Sequence, residues 1–211
     1  MNTKIIKIKG DWEEVVNDCR VTVGKEELGK RPSSKFIKDI LIAEHGPIRS
    51  LSVKWKWTDL KSWVATHFAR HKWECFIKTQ RTDRTGISRD ELPQGSLVDF
   101  VGEANCQHII DTSRKRLCYM ASPETRERME NLKVALEVYE PELADVMVPN
   151  CVYRCGCPEI GGCGYWNKFV NAFIASGRHV TDLADIRERY KVYNCMFADL
   201  VDYEEGEECG N

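Results

Sequence analysis

Ser50-Leu-Ser-Val-Lys-Trp-Lys-Trp57 alternates without a break: Leu51, Val53, Trp55 and Trp57 fall on one side, Ser50, Ser52, Lys54 and Lys56 on the other. Successive strand side chains point to opposite faces, so this period of two reads as a β-strand with one buried, aromatic face and one basic face. Thr58 then reads as the cap of a helix reaching about His71, with Leu60, Trp63, Val64 and His67 on one stripe, so strand and helix meet almost without a loop. Further helices are predicted from Ser122 and Pro123 along Met129, Leu132, Leu136 and Tyr139 to a stop at Pro141, and over 166–176 through Trp166, Phe169, Val170, Phe173 and Ile174 to Gly177. A last one starts at Thr181 and runs through Leu183, Ile186, Tyr190, Tyr193, Phe197 and Leu200. The pattern predicts a helix-rich α+β protein.

At 211 residues the chain suits a single domain, assigned to 1–198, with an acidic tail over 199–211 that carries six acids and no base and is expected to be flexible. Thirty-one basic residues against 33 acidic ones leave a net charge of −2, which excludes a histone-like or polybasic binder and makes a nucleic-acid partner unexpected. No apolar run approaches the roughly 18 residues of a membrane span, so no membrane partner is expected. The N-terminal MNTKIIKIKGDWEE has no uninterrupted apolar core and no small-residue cleavage site, which predicts a cytoplasmic protein. The ten cysteines therefore read first as reduced thiols or metal ligands.

Charge is concentrated locally. Residues 49–90 carry ten Lys/Arg against four Asp/Glu, and THFARHKWECFIKTQRTDR puts His67, Arg70, His71, Lys72, Lys78, Arg81 and Arg84 within eighteen residues. Arginine grips phosphate bidentately and lysine supplies a mobile point charge, so this density suits a phosphorylated ligand. Cations at a helix end could account for Arg70 to Lys72 through the macrodipole, but not for Arg81 and Arg84. The segment SRKRLCYMASPETRE, 113–127, is basic too and reads as a solvated loop that then caps a helix. Cys151, Cys155, Cys157 and Cys163 follow a C-x3-C-x-C-x5-C spacing without the paired C-x2-C knuckle of most zinc sites, and no metal is assigned to them. Cys75 reads as packing.

In these residues the chain resembles the flavin-dependent thymidylate synthases, whose signature is Arg-His-Arg followed after a short spacer by Ser-x-Arg-Tyr. Here the triplet is Arg70-His71-Lys72, and Thr79-Gln80-Arg81 is similar to the second half. His45 in HGPIRS resembles the family histidine that precedes the strand. Val148-Pro149-Asn150-Cys151-Val152-Tyr153-Arg154 resembles its Leu-Pro-x-Leu-Tyr-Thr-Arg segment, and Gly177-Arg178 with Ala184-Asp185-Ile186-Arg187 its later Leu-Arg and Ala-Gln-x-Glu-Ile-Arg. The resemblance covers about residues 36 to 195, in family order; the cysteine loop reads as an insertion within it.

The resemblance implies a central antiparallel sheet and a homotetramer whose active sites are shared between subunits. It implies FAD held by His45, Arg70, His71, Lys72 and Arg178, and a pyrimidine deoxynucleotide held by His67, Thr79, Gln80, Arg81, Arg154 and Arg187, with NADPH as reductant and methylenetetrahydrofolate as one-carbon donor. The implied reaction is reductive methylation of dUMP at C5, with Arg187 as the catalytic candidate because an arginine can stabilise enolate-like charge on the ring. Lys72 stands where the family has arginine, His67 where it has glutamine, and Thr82 where it has tyrosine. These departures keep open hydroxymethylation or another change to a different pyrimidine nucleotide, and a non-catalytic nucleotide binder.

Overall fold

The computed structural model describes residues 3–208, with side chains through residue 199. In chain order its elements are β1 (Thr3–Lys9), α1 (Trp12–Val21), α2 (Ser34–Ile42), β2 (Ser52–Lys61), α3 (Ser62–Ala69), β3 (Glu74–Ile77), α4 (Thr82–Thr85) and β4 (Leu97–Asn105). There follow α5 (Cys106–Arg116), α6 (Pro123–Glu137), α7 (Pro141–Val146), α8 (Asn150–Arg154), α9 (Tyr165–Ala175) and α10 (Ile186–Glu208). The sheet has the order β1-β2-β4-β3, antiparallel throughout. This is the helix-rich α+β architecture that the sequence predicts.

The alternation of 50–57 sorts as expected, with Val53, Trp55 and Trp57 fully buried and Lys54 and Lys56 on the outer face, where they pair with Glu103 and Asp99 of β4. The strand does not stop at Trp57. A bulge carries it to Lys61: Trp57 faces Phe100, Leu60 faces Val98, and Asp59 between them takes a left-handed φ of 53°. The extra residue keeps Leu60 on the buried face, a gain that outweighs a small backbone strain. The helix capped by Thr58 is thus corrected to one that begins at Ser62 and buries Val64, Ala65 and Phe68. The last helix is corrected likewise. Val180–Ala184 is a separate 3-10 turn, Asp185 is extended, and α10 starts at Ile186 and continues to Glu208, into the segment read as the acidic tail. Residues 209–211 and the side chain of Leu200 lie outside the described residues.

Three aromatic rings of the sheet, Trp55, Trp57 and Phe100, pack with Phe68 of α3 and with Trp73, at centroid distances of 4.6 to 6.4 Å. Gly102 of β4 is required here, since any Cβ at that position would overlap the Trp55 indole. The Trp73 indole N–H donates to the Phe68 carbonyl at 2.6 Å, which folds 70–72 into a tight turn between α3 and β3. The basic triplet is thereby presented at the surface by a rigid aromatic core.

Candidate functional site

Beside that turn lies a cavity of about 400 Å³, within the range of small-molecule sites. Arg70, His71 and Lys72 form one wall, His108, Asp111, Arg114 and Lys115 along α5 a second, and Asn150, Tyr153 and Arg154 of α8 a third. Segments separated by some forty residues each thus bring five Lys/Arg side chains to one hollow, with Asp111 the sole acid of its lining.

Each wall is held by specific bonds. Arg114 has a side chain only 11% exposed, is ion-paired with Glu44, and lies over the Tyr153 ring with its guanidinium carbon 3.5 Å from the centroid. Glu44 also accepts from the Gln107 amide at 2.6 Å. Burial alone pushes the Glu44 carboxyl up, but the bonds from Arg114 and Gln107 and the Arg114 charge outweigh it and hold the group below its ordinary range. Its backbone sits at a left-handed φ of 51°, a strained setting for glutamate that this network maintains. Arg189, buried on α10, donates its Nε to the Val152 carbonyl at 2.6 Å and an Nη to that of Tyr153 at 2.9 Å, while another Nη reaches the Leu183 carbonyl. These bonds satisfy the orphan carbonyls at the end of α8, where Cys155 turns left-handed, and so fix Tyr153 and Arg154.

His71 is half-buried and accepts at Nε2 from the Arg116 Nε at 2.8 Å. Burial, then the Arg116 and Lys115 charges, bring its pKa down to about 4. His67 is lowered as well, by burial and then by Arg116 and Arg70.

Of the residues that the resemblance singles out, Arg70, His71, Lys72 and Arg154 meet at this cavity. The others lie elsewhere in the chain. His67 sits one turn earlier on α3, its Nδ1 3.1 Å from the Thr125 hydroxyl. Arg81 is exposed and forms a bidentate pair with Asp83 at 2.9 Å for both bonds; Thr79 accepts from its backbone N–H, and Gln80 accepts from Ser62. His45 lies 3.6 Å from the Cys19 thiol, next in sequence to Glu44. Arg178 bonds Glu188 at 2.6 Å. Arg187 is ion-paired with Asp39 of α2 at 2.8 Å and lines a separate groove between α2 and α10 with Lys38, Asp145 and Asn194. Asp39 is a long-range partner, 148 residues away, that helix spacing around Arg187 does not reveal.

The reading of 113–127 as a solvated loop is overturned, since Arg114 and Lys115 line the cavity and Arg116 holds His71. Glu44, Gln107, His108 and Arg189 carry no local signal in the sequence, whereas the basic run 113–116 is one. Burial raises the pKa of the Cys118 thiol and pushes the Cys151 thiol up to about 12. Among the described residues no group of three or more His, Cys, Asp or Glu is arranged to hold a metal ion.

Fold and site together define an α+β protein with an antiparallel sheet and a cation-rich cleft of about 400 Å³ between the 70–72 turn, α5 and α8. No known family's profile matches the chain, and no curated protein matches it in sequence. Among solved structures it is similar to the UMP/dUMP methylase PolB of Streptomyces cacaoi, determined with 5-Br dUMP bound, with a TM-score of 0.56 and 12% identity over 68% of this chain and 93% of that one. At that identity the likeness is one of fold. No helix among the described residues is long and apolar enough to cross a membrane.

Proposed function

We propose that the chain is a pyrimidine-nucleotide methylase of the flavin-dependent thymidylate synthase type, acting on C5 of dUMP with FAD, NADPH and methylenetetrahydrofolate. The observation that carries this reading is the convergence of Arg70, His71, Lys72 and Arg154, each from a motif similar to that family, on one cavity of a fold shared with a UMP/dUMP methylase. The donor set fits a flavin cofactor's diphosphate, since the cavity lining is rich in Lys/Arg and holds a single acid. When bound, the flavin supplies the hydride of the reductive step. The chain's own part is to bind and orient: Arg70 and Lys72 face the diphosphate, Arg154 the nucleotide phosphate, and the Tyr153–Arg114 stack forms a flat wall for a ring.

The remaining residues, His45, His67, Thr79, Gln80, Arg81, Arg178 and Arg187, act in this reading where subunits meet, in a homotetramer with shared sites. Arg187 would exchange Asp39 for a ring carbonyl of a nucleotide bound next door. A second reading, modification of another pyrimidine nucleotide, is favoured by His67, which stands where the family has glutamine and offers its donor and its acceptor on separate ring atoms.

Purification of the full chain tests the cofactor, the expected result being a yellow protein that retains FAD. Incubation with dUMP or dCMP, methylenetetrahydrofolate and NADPH, read by mass spectrometry, tests the reaction. A colourless protein that neither binds added FAD nor converts either nucleotide overturns the proposal.

A further inference from the structure

We infer that Arg116 is a positioning residue that locks His71 as a neutral imidazole with its proton on Nδ1, giving the cleft a fixed, uncharged donor among its cations. The inference rests on the proposed function only in taking His71 to face a ligand.

The geometry fixes the tautomer. An arginine does not lose its proton in a protein and has no acceptor, so the bond of 2.8 Å from the Arg116 Nε requires a lone pair on the His71 Nε2. A neutral ring with a lone pair on Nε2 carries its proton on Nδ1. The Arg116 side chain cannot swing away easily. An Nη donates to the His67 carbonyl at 2.9 Å, at the last turn of α3, and the guanidinium stands 6.0 Å from the Phe68 ring centroid. The ring of His71 is packed in turn against Phe68 and Trp73.

The surroundings disfavour a second proton. From α5, Lys115, Arg114 and His108 face the same cavity, with Asp111 as the opposing charge, and Arg154 faces it from α8, while Arg116 touches the ring directly at Nε2. Arg70 and Lys72 flank His71 in sequence. On its other side, Glu74 of β3 and Glu103 of β4 line a shallower hollow that His71 and His108 share. Glu103 is occupied by Lys9 and Lys54, so the cations dominate. The pKa of about 4 agrees with this arrangement.

A neutral Nδ1–H selects an acceptor. The ligand atom opposite His71 is then an oxygen such as a carbonyl or a phosphate oxygen, and an amino group at that point is rejected. Ligand binding also gains no pH dependence from His71 above about pH 5.

Nitrogen-15 imidazole NMR on the full chain, with the His71 signals assigned through His71→Gln, tests the lock without any ligand. The expected parent spectrum is an Nδ1–H tautomer at pH 6, where an ordinary histidine is mostly protonated. In Arg116→Met the ring is expected to become a tautomer mixture whose pKa rises by about one unit or more, and Arg116→Lys is expected to restore the parent form in part. A parent ring that is Nε2–H, or protonated at pH 6, overturns the inference, as does an Arg116→Met spectrum identical to the parent's. Should Arg116→Met not fold, the parent spectrum and Arg116→Lys decide. A parent with the Nδ1–H form that binds neither FAD nor a nucleotide would remove the proposed function and leave the lock standing.

Discussion

At the scale of single residues, the described cations divide by whether a protein anion already holds them. Arg81, Arg178 and Arg187 have carboxylate partners within 3 Å, whereas the Arg70 side chain is exposed at the cleft. Arg70→Ala is therefore expected to weaken FAD at least about tenfold while unfolding at nearly the parent temperature, since a charge-assisted bond contributes about 1.5 to 3 kcal/mol and an exposed side chain little to the fold. Fluorescence titration and a thermal melt read the two effects separately. Arg187→Ala should change stability by less than about 1 kcal/mol, because its pair with Asp39 is 58% and 38% exposed. Under the shared-site reading it should nonetheless lower kcat/KM for the nucleotide by about 30-fold or more. A variant with parental turnover would show that Arg187 serves only the α2–α10 contact.

At the scale of elements, α8 is a five-residue helix that carries three cavity residues, too short to hold itself together. Arg189 supplies what its length cannot, and Arg189→Met leaves the Val152 and Tyr153 carbonyls without this donor and the Leu183 carbonyl with the Cys155 thiol alone. We expect a loss of about 2 to 4 kcal/mol in chemical denaturation, together with weaker ligand binding through misplaced Tyr153 and Arg154. A denaturation midpoint equal to the parent's would mean that α8 is held by its apolar contacts alone. The same element illustrates the limit of local reading. Cys155 at φ 57° ends α8, and the glycine-rich loop after it is tied back by the Cys155 thiol to the Leu183 carbonyl at 3.3 Å, the residue whose carbonyl Arg189 also uses.

At the scale of the whole molecule, Lys133 joins α6, α7 and α10. It is 1% exposed and donates to the Ala144 carbonyl at 2.6 Å and the Asn194 side chain at 2.9 Å, beneath the Phe197 ring. Burial brings its pKa down to about 8, against the partial opposition of Glu137 and Asp145. Between that value and the ordinary 10.5 the unfolded chain holds a proton that the folded chain has released, so this group's contribution to stability increases with pH. The buried tyrosines and thiols, whose pKa values are raised, act in the opposite direction. Comparison of the parent with Lys133→Met cancels them: the parent is expected to gain on the variant by up to about 3 kcal/mol from pH 7.5 to 10.5. A difference that stays constant over that range would mean that Lys133 is charged throughout.

The sequence by itself determined the strand around Trp55, the buried Met129, Leu132 and Leu136 of α6 and Phe169 and Phe173 of α9 with their proline and glycine boundaries, though not Tyr139 and Ile174, which are exposed, and the presence of an unusually basic segment. Each of these is a local pattern, in which periodicity reports the buried face and a ring or a missing Cβ reports where a helix must stop. Tertiary structure decided the rest. The bulge at Asp59 exists because Leu60 must meet Val98 across the sheet, and periodicity within 50–61 cannot anticipate a partner at 98. The cleft exists because Glu44, Arg114, Tyr153 and Arg189 meet from four separate segments, and Arg187 finds Asp39 across 148 residues. A side chain's charge is written in the sequence; whether it faces a ligand or a neighbour depends on contacts that only the packed chain creates.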